Sequence, residues 1–421
     1  MIKDFLKDYL AHLRLFSPNA RKFLIGSFFM GLGLSVFQLL MNLYLVQLGF
    51  DEGHIGSIIS ASSIGTVLIA IPAAILVDRF RIKYILMFAT LTSGSALITQ
   101  ALSTSIWNLR IMSMISGSMF TIHMIAASPF FMRNSTSAER PYLFGVNMAV
   151  STFSGFIGSI IGGLTPIWLV ETGATLLLGY RYTLVGGALT AMLSLAAYSA
   201  IKAKTTDSGQ SLKPRNYMGA RDWKTTLKLM IPHFLIGMGA GLVIPFLNLY
   251  FLKRFELESD DIGRIFSFGA LFTAAGFLAG PAIARRVGLV KTVVISQFLS
   301  IPFFLVLAFS HNLFLSVVAF LFRGSLMNMA WPMYNNFAME MGDEKNQASV
   351  NSALSLAWNS SWMISANIGG LMIEKSGFTA VMLATVGLYL ASTTASWLLF
   401  NKYRTIGIGL YPAAPGRKNN L

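Results

Sequence analysis

The chain has 421 residues, of which 54% are hydrophobic and only 12% are charged. A soluble domain carries about 25% charged residues, so this composition disfavours a soluble enzyme, a disordered protein and a nucleic-acid-binding domain, and it predicts an integral membrane protein. Cysteine is absent, which excludes disulfides, thiolate metal ligands and a thiol nucleophile. We expect neither a cofactor nor a metal ion.

Residues 1–18 precede the first long apolar segment. Apolar side chains recur there at helical spacing, whereas Lys3, Asp4, Lys7 and Asp8 occupy the opposite side. This pattern predicts an amphipathic helix that lies along the membrane surface as an anchor.

Twelve apolar segments follow, each long enough to cross a bilayer as a helix of about 20 residues. They occupy roughly residues 22–48, 55–77, 84–104, 106–131, 142–170, 177–201, 226–252, 262–284, 291–310, 313–339, 347–373 and 378–401. The first segment begins too late and is too long for the apolar core of a cleavable signal peptide. The sequence therefore predicts an all-α integral membrane protein with twelve transmembrane helices.

The distribution of Lys and Arg predicts the orientation of these helices. In this topology 25 of the 32 Lys and Arg residues share one side of the membrane, five lie on the other, and Arg110 and Arg323 fall inside spans. Because cytoplasmic segments are enriched in Lys and Arg, we expect both termini, the linker 202–225 and the tail 402–421 in the cytoplasm. The same bias accounts for the formal net charge of +15 without a nucleic-acid partner, and the short loops indicate a multi-pass protein of a prokaryotic cytoplasmic membrane.

The two halves of the chain, 19–201 and 226–401, match each other at an offset of 206 or 207 residues. The matching segments are Asn42-Leu43-Tyr44 with Asn248-Leu249-Tyr250, Ile55-Gly56 with Ile262-Gly263, Arg79 with Arg286, Gly117-Ser118 with Gly324-Ser325, and Gly162-Gly163-Leu164 with Gly369-Gly370-Leu371. Six spans per half give both halves the same orientation. We therefore predict two six-helix bundles related by a pseudo-twofold axis along the membrane normal.

The loop between the second and third spans resembles the signature of the major facilitator superfamily, whose pattern is Gly, Asp-Arg, Gly and a basic pair. Asp78, Arg79 and Lys83 match, whereas Ala74 and Arg81 replace the two glycines. The second copy of this loop carries Arg285 and Arg286, with Arg285 in place of the acid. The resemblance covers the whole chain and implies that these loops latch the two halves together on the cytoplasmic side, the Asp facing a helix N-terminus. The cations alone are equally explained by the positive-inside rule.

A run of small residues in the fifth span resembles a pattern of antiporters in the same superfamily. The run contains Gly145, Gly158, Gly162 and Gly163, and serines stand at 154 and 159, where the pattern has Gly and Pro. Gly369 and Gly370 repeat part of it in span 11. The pattern favours an efflux-type member, but small residues at this spacing also permit close helix packing without antiport.

The resemblance implies that spans 1, 4, 7 and 10 face a central cavity. An ionisable residue inside a membrane is a functional candidate by default, and Arg323 lies near the middle of span 10. Helical spacing places Met327, Trp331 and Tyr334 on its face, so we predict that these four residues contact substrate. The alternative for Arg323 is a hydrogen bond that fixes the packing of a neighbouring helix.

Further candidates lie on spans 1, 4, 7 and 11. His123 and Phe120 occupy the face of span 4 that the repeat relates to the Arg323 face, and His123 could take up a proton near neutral pH. A structural role for His123 is an equal alternative. Gln38, Trp358 and Asn359 are additional substrate-site candidates, although buried amides also serve to join helices. The duplicated Asn42 and Asn248, near the outer ends of spans 1 and 7, predict an outer gate.

All 17 acidic residues lie in loops or near span ends, so no central carboxylate is available to carry a proton or bind a cation. Proton coupling would then use His123, Glu340 or the substrate itself, and a cavity that contains an arginine favours neutral or anionic amphiphiles. The scattered histidines build no zinc site, and the chain contains no phosphate-binding loop. We therefore predict a monomeric secondary transporter that exports a small amphiphile by alternating access in exchange for protons. An importer or flippase of an anionic or lipid-like substrate and, less favoured, a channel remain the alternatives.

Overall fold

We analysed a computed structural model of the chain, which describes residues 16–136, 139–202, 223–341 and 347–401. The predicted surface helix at 1–18, the linker 202–225 and the tail 402–421 fall almost entirely outside these residues. The described residues form helices and connecting turns, with no β-strand among them.

The helices follow one another with short connections. Their bounds are α1 Pro18–Gln47, α2 Glu52–Arg79, α3 Ile82–Leu102, α4 Ile106–Asn134, α5 Arg140–Glu171, α6 Leu176–Met192, α7 Ser194–Ser199, α8 Trp223–Val243, α9 Leu247–Phe255, α10 Ser259–Val287, α11 Leu289–Phe309, α12 Leu313–Met341 and α13 Gln347–Phe400. The all-helical architecture predicted from the sequence is confirmed.

Local capping explains where several helices begin. The hydroxyl of Ser17 accepts a hydrogen bond from the Ala20 backbone N–H at 3.2 Å, and Pro18 occupies the first position of α1. The Asp51 carboxylate caps α2 by accepting from the His54 N–H at 2.8 Å. Such caps satisfy backbone donors that a helix start leaves unpaired, and they set the register of the polar residues that follow.

Eleven helical segments of the described chain are long and apolar enough to cross a membrane, compared with the twelve predicted. The difference arises at the end of the chain, where the predicted spans 347–373 and 378–401 form the single 54-residue helix α13. A straight helix of that length would measure about 80 Å, far more than the roughly 30 Å of a bilayer core. Within α13, Gly377 has φ 75° and ψ 176°, which is not a helical conformation.

The predicted seventh span is interrupted. A 3₁₀ turn at Ile244–Phe246 separates α8 from α9, because Pro245 lacks the N–H that would continue the α-helical hydrogen bonds. Within the break, the Pro245 carbonyl accepts a hydrogen bond from a side chain, that of Asn42.

The described residues divide into two compact units. The first contains residues 16–202, 240–271 and 359–381, and the second contains 223–239, 272–358 and 382–401, apart from the residues not described. The first unit therefore joins the first half of the chain to segments of α8 to α10 and α13 from the second half. Each unit has its own apolar core, built around Phe23, Phe130 and Phe131 in the first and around Met333, Phe337 and Phe400 in the second.

Large apolar side chains are also strongly exposed on both units. Leu278, Phe314 and Leu398 are among the most exposed. An apolar surface of this extent is unfavourable in water but suits contact with lipid, in agreement with a multi-pass membrane protein.

Candidate functional site

An aromatic cluster in the second unit contains three of the predicted substrate contacts. The His233 ring stacks on Tyr334 with ring centroids 5.2 Å apart and an interplanar angle of 16°. Trp331 and Trp358 flank the same imidazole at 5.1 and 5.5 Å and meet each other edge to face at 4.6 Å. We call His233, Trp331, Tyr334 and Trp358 the aromatic cluster.

The aromatic cluster combines rigid and accessible groups. Tyr334 is buried, and its hydroxyl donates a hydrogen bond to the Leu229 carbonyl at 2.5 Å, which ties α12 to α8. Trp331 is 37% exposed and is held by its neighbours on one side. An indole fixed in this way offers a flat surface to a planar or apolar ligand at low entropic cost.

Arg323 is buried in the same unit but has different partners. Its side chain is 6% exposed, its guanidinium carbon lies 4.7 Å from the centroid of the Phe304 ring, and Nη2 donates to the Tyr389 hydroxyl at 3.2 Å. Its Nε finds no hydrogen-bond partner among the described residues, and none of their carboxylates pairs with it. The guanidinium is thus held by cation–π and hydroxyl contacts.

The face predicted for Arg323, Met327, Trp331 and Tyr334 is divided in the structure. Met327, like Arg323, contacts α11: its sulfur lies 3.1 Å from the Ser300 hydroxyl. Trp331 and Tyr334 instead contact α8 and α13. Helical angles place residues on one face, but side-chain length and neighbouring helices decide which partners they reach.

His123 is a core residue of the first unit. Its Nε2 lies 2.6 Å from the Tyr198 hydroxyl and its ring stacks on Phe23 at 5.7 Å, while Nδ1 has no partner among the described residues. Phe120, one turn earlier on α4, is exposed. Among the other candidates, Gln38 is exposed and Asn359 is half-buried.

The duplicated asparagines Asn42 and Asn248 face each other. Asn42 Nδ2 donates to the Pro245 carbonyl at 2.6 Å and lies 3.1 Å from Oδ1 of Asn248. In return, Asn248 Nδ2 donates to the Leu39 carbonyl at 2.7 Å. Each side-chain amide therefore donates to the backbone carbonyl that lies three residues before the other asparagine. The two hydrogen bonds are thus related by the same offset as the sequence repeat.

Two glycine contacts lie at the same end of the helices. A Cβ atom on Gly163 of α5 would stand 2.6 Å from the Ser259 carbonyl oxygen and 2.9 Å from the Cα of Gly263 on α10. A Cβ atom on Gly56 of α2 would stand 2.5 Å from the Ala366 carbonyl oxygen and 3.1 Å from the Cα of Gly370 on α13. These two pairs are the repeat copies of each other.

The remaining glycines of the predicted packing run behave similarly. A Cβ atom on Gly158 or Gly162 would crowd Leu32 or Val36 of α1, and one on Gly369 would meet the Leu242 carbonyl of α8. Gly145 lies half-buried near the start of α5. The run therefore serves close helix approach, as small residues do in membranes.

An ion pair joins the two halves of the chain next to these glycines. The Glu52 carboxylate, in the first turn of α2, pairs with the ammonium group of Lys253 on α9. The Glu52 side chain is 7% exposed, compared with 45% for Lys253. We call the end of the helices that carries this ion pair, the asparagine exchange and the two glycine pairs the crossing end.

Asp51 lies beside Glu52 but is involved in a local contact. Burial would raise the pKa of Asp51, but hydrogen bonds from the His54 backbone N–H and imidazole prevail and hold it below its ordinary value of 3.8. Its carboxylate oxygen lies 2.7 Å from Nδ1 of His54. Asp51 therefore stays ionised at neutral pH as the cap of α2.

The predicted cytoplasmic latch residues lie at the other ends of the helices. Asp78 and Lys83 are half-buried at the end of α2 and the start of α3, and Arg79 is exposed. Arg285 and Arg286 are exposed near the end of α10. The latch remains a prediction.

Sequence reasoning missed three residues of these sites. His233 could have been found, because it is an ionisable side chain inside an apolar span, the same signal that selected Arg323. Glu52 and Lys253 carry no comparable signal, since each lies near a span end and their partnership joins positions 201 residues apart.

The chain matches one known protein family along nearly its whole length. A family model of the Major Facilitator Superfamily matches residues 23–230 and again 229–408, so it covers nearly the whole chain in two copies. The chain belongs to the Major Facilitator Superfamily, and the resemblance inferred from the sequence is confirmed. No curated protein sequence matches the chain.

Solved transporters share the fold at low sequence identity. The nucleoside transporter NupG is 17% identical, with a TM-score of 0.76 over 92% of this chain and 100% of its own. A bacterial homologue of the human lysosomal transporter Spinster, in an inward-facing and occupied conformation, is 12% identical, with a TM-score of 0.78 over 94% and 98%. A bacterial homologue of the iron transporter ferroportin is 13% identical, with a TM-score of 0.71 over 90% and 98%. The protein is a transporter and not an enzyme.

Proposed function

We propose that the protein is a secondary active transporter that exports a small amphiphilic molecule across the cytoplasmic membrane by alternating access, in exchange for protons. The observation that carries this proposal is the set of contacts between the two halves of the chain at the crossing end. There the two halves of the chain meet through two exchanged amides and glycine pairs that lack interlocking side chains, so these contacts can separate without repacking a core. A carrier needs one such seal at each end of its site.

The proposed topology has twelve spans in two six-helix bundles, 19–201 and 226–401, related by a pseudo-twofold axis along the membrane normal. Gly377 then ends span 11 and begins span 12. With both termini, the linker 202–225 and the tail 402–421 in the cytoplasm, the crossing end faces outward, and Asn42 and Asn248 form the outer gate. Asp78, Arg79, Lys83, Arg285 and Arg286 latch the inner side, and the protein acts as a monomer.

The proposed cargo contacts the aromatic cluster through Trp331, with Arg323, eight residues earlier on α12, as the attractive charge. Indole and imidazole rings favour planar or apolar groups, and a buried guanidinium with a free donor favours a ligand that carries a partial or full negative charge. The absence of a central carboxylate disfavours selection for lipophilic cations.

The unpaired Nε of Arg323 also favours the second candidate, an importer or flippase of an anionic or lipid-like substrate on the same fold. The two candidates differ in the direction of coupled flux and share the binding chemistry.

The first test uses purified wild type, Arg323→Gln and the control Arg110→Gln, which changes the other arginine inside a span, one that donates to the Ser57 hydroxyl at 2.9 Å. A melting-temperature panel of anionic, neutral and cationic amphiphiles identifies ligands, because a ligand of the folded state raises Tm. We expect anions to raise the Tm of wild type and Arg110→Gln by several degrees and to lose this effect in Arg323→Gln. Equal stabilisation of all three proteins by neutral or cationic amphiphiles would make Arg323 structural.

The second test measures transport of the strongest ligand in proteoliposomes that contain a pH-sensitive dye. The proposal expects saturable flux, counterflow of labelled ligand and proton movement opposite to the ligand. Flux that does not saturate and shows no counterflow would identify a channel, and proton movement in the same direction as the ligand would support import.

A further inference from the structure

We infer that His233 is the residue of the aromatic cluster that selects the cargo, and that the cargo is a planar aromatic molecule with a hydroxyl group on its ring. The inference rests on the proposed function, because it names the class of molecule that the same cluster binds. His233 determines specificity through a hydrogen bond, whereas Trp331 supplies the surface on which the aromatic ring stacks.

His233 is buried but has no hydrogen-bond partner. Its side chain is 4% exposed, and its ring nitrogens form no hydrogen bond with any described residue. The hydroxyl of Tyr334, whose ring stacks against the imidazole, already donates to the Leu229 carbonyl. A buried polar group without a partner is costly, so the imidazole lacks a hydrogen bond that a bound molecule can supply.

The buried histidine of the first unit provides a contrast. His123 also stacks on an aromatic ring, that of Phe23, but its Nε2 lies 2.6 Å from the Tyr198 hydroxyl. His123 is thus bonded within its own bundle. The two histidines are 6% and 4% exposed, so the degree of burial does not explain why His233 alone makes no hydrogen bond.

The fold does not require the aromatic cluster. At the repeat offsets of 206 and 207 residues, the first half of the chain has no aromatic residue at any of the four corresponding positions, which are Ser27, Met124, Ala127 and Ser151. The first bundle therefore builds the equivalent helices without these rings. Packing common to both bundles cannot account for four rings at one place, and an aromatic ligand gives them a common role.

The geometry of the cluster limits what a ligand can contact. One face of the imidazole lies against Tyr334, and the indoles of Trp331 and Trp358 flank it, so its edge nitrogens are what it can offer. A neutral imidazole has one N–H donor and one acceptor nitrogen, and a hydroxyl group can pair with either. Trp331 is 37% exposed, and its indole provides a flat surface for the ring of the same ligand.

Aromatic rings also attract organic cations, but the arrangement disfavours a cation as the ligand. In a cation-binding cage the rings surround the cation, whereas here three rings surround the imidazole of His233. The polar group that the cluster presents is therefore a hydrogen-bonding one.

The test compares two planar anions that differ by one hydroxyl group, 6-hydroxy-2-naphthoate and 2-naphthoate, by titration calorimetry on the purified full-length protein. Both carry the same carboxylate, so an attraction to Arg323 does not separate them. The hydroxyl group makes the first probe less apolar, so stacking alone would favour 2-naphthoate. We expect wild type to bind the hydroxylated probe at least about fivefold more tightly, the effect of one net hydrogen bond.

Variants assign this preference to His233. His233→Phe keeps a ring in the cluster but removes both nitrogens, so it should bind 2-naphthoate and lose the preference; His233→Leu replaces it if it does not melt like wild type. His233→Gln retains a donor and an acceptor and should retain a preference. Trp331→Leu should weaken both probes by a similar factor. The control His311→Phe makes the same replacement at an exposed position between α11 and α12 and should leave both Kd values unchanged.

Several outcomes contradict the inference. Equal binding of the two probes by wild type, no binding of either, or a preference that survives in His233→Phe would overturn it, and so would tighter binding of phenyltrimethylammonium than of either naphthoate. Saturable, proton-coupled flux of another ligand would still uphold the proposed function in those cases. A preference that depends on His233, in a protein that shows no saturable flux of any ligand, would instead overturn the proposed function and leave the binding site standing.

Discussion

Asn42 and Asn248 show how two single side chains can hold a seal. Each amide donates to a carbonyl of the partner helix, at 2.6 and 2.7 Å, and the broken helix around Pro245 makes one of these acceptors available. A hydrogen bond contributes about 0.5–1.5 kcal/mol, but a buried group that loses its partner costs about 1–3 kcal/mol. Bonds of this strength can break in the proposed transport cycle and still stabilise its closed state.

We therefore predict that Asn248→Ala opens the crossing end more often than wild type. The substitution leaves the Leu39 carbonyl without its donor, which costs the closed state about 1–3 kcal/mol, and it leaves the Asn42 amide with only the Pro245 carbonyl as acceptor. The measurement is the rate at which a membrane-impermeant maleimide labels Ser259→Cys. Ser259 is fully buried and its hydroxyl donates to the Gly163 carbonyl, so labelling reports opening, and the rate should rise at least severalfold. Asn108→Ala removes an amide whose hydrogen bond to Ser103, at 3.1 Å, stays within the first half, and it should leave the rate unchanged; an equal rise in both variants would contradict the prediction.

The sequence predicted which residues are important better than it predicted the residues that they contact. The duplication selected Asn42 and Asn248, and the structure brings them together. Arg323 was selected as an intramembrane charge, but its contacts with Phe304 and Tyr389 depend on helices more than 15 residues away in sequence. Spacing along one helix contains no information about such neighbours.

At the scale of helices, the glycine pairs set how closely α5 approaches α10 and how closely α2 approaches α13. The backbones approach so closely that a Cβ atom on Gly163 would stand 2.6 Å from the Ser259 carbonyl oxygen. The Gly56–Gly370 pair also adjoins the Glu52–Lys253 ion pair, because the Glu52 backbone carbonyl packs against Gly370.

Gly163→Ala is expected to weaken the closed crossing end by about 1–3 kcal/mol, the usual cost of overpacking. The test is again labelling of Ser259→Cys, which should accelerate. Gly186→Ala is the matched control, because a Cβ atom at Gly186 on α6 meets no atom within 4 Å. Unchanged labelling in Gly163→Ala would show that the α5–α10 contact does not control opening.

The turn within α13 depends on a different property of glycine. Gly377 adopts φ 75°, a conformation that costs a residue with a side chain about 1–3 kcal/mol. Gly377→Ala should therefore lower Tm by several degrees, whereas Gly387→Ala, later in the same helix and with open space at its Cβ position, should leave Tm equal or slightly higher. A calorimetric or fluorescence melt in detergent measures both, and equal Tm values would contradict a strained turn at Gly377.

Element boundaries were predictable where composition changes sharply. Asp51 and Glu52 separate two apolar runs, and α2 begins at Glu52. Glu374-Lys375-Ser376-Gly377 predicted a similar break, but helical geometry persists through three of these residues and only Gly377 leaves it. Polar residues allow a helix to end without requiring it, whereas a positive φ at glycine changes the chain direction.

At the scale of the whole molecule, the repeat in the sequence becomes a structural property of the crossing end. Gly56 with Gly370 and Gly163 with Gly263 are copies of one contact, and the asparagine exchange pairs positions 206 residues apart. The division into units shows the consequence, since segments 240–271 and 359–381 of the second half group with the first half. The sequence could predict the duplication, but it could not predict which end of the helices is closed, because the two states of the proposed carrier share one sequence.

The most direct test of the account is whether the crossing end must open for transport. Thr172→Cys and Glu258→Cys place one exposed thiol on each half of the chain at this end, and a reducible bis-thiosulfonate reagent links them. We expect the link to abolish saturable flux of the strongest panel ligand in proteoliposomes, and a reducing agent to restore it. The control link between Thr104→Cys and Thr172→Cys lies within the first half and should leave flux unchanged. Undiminished transport through protein that is fully linked between Thr172→Cys and Glu258→Cys would contradict alternating access at the crossing end.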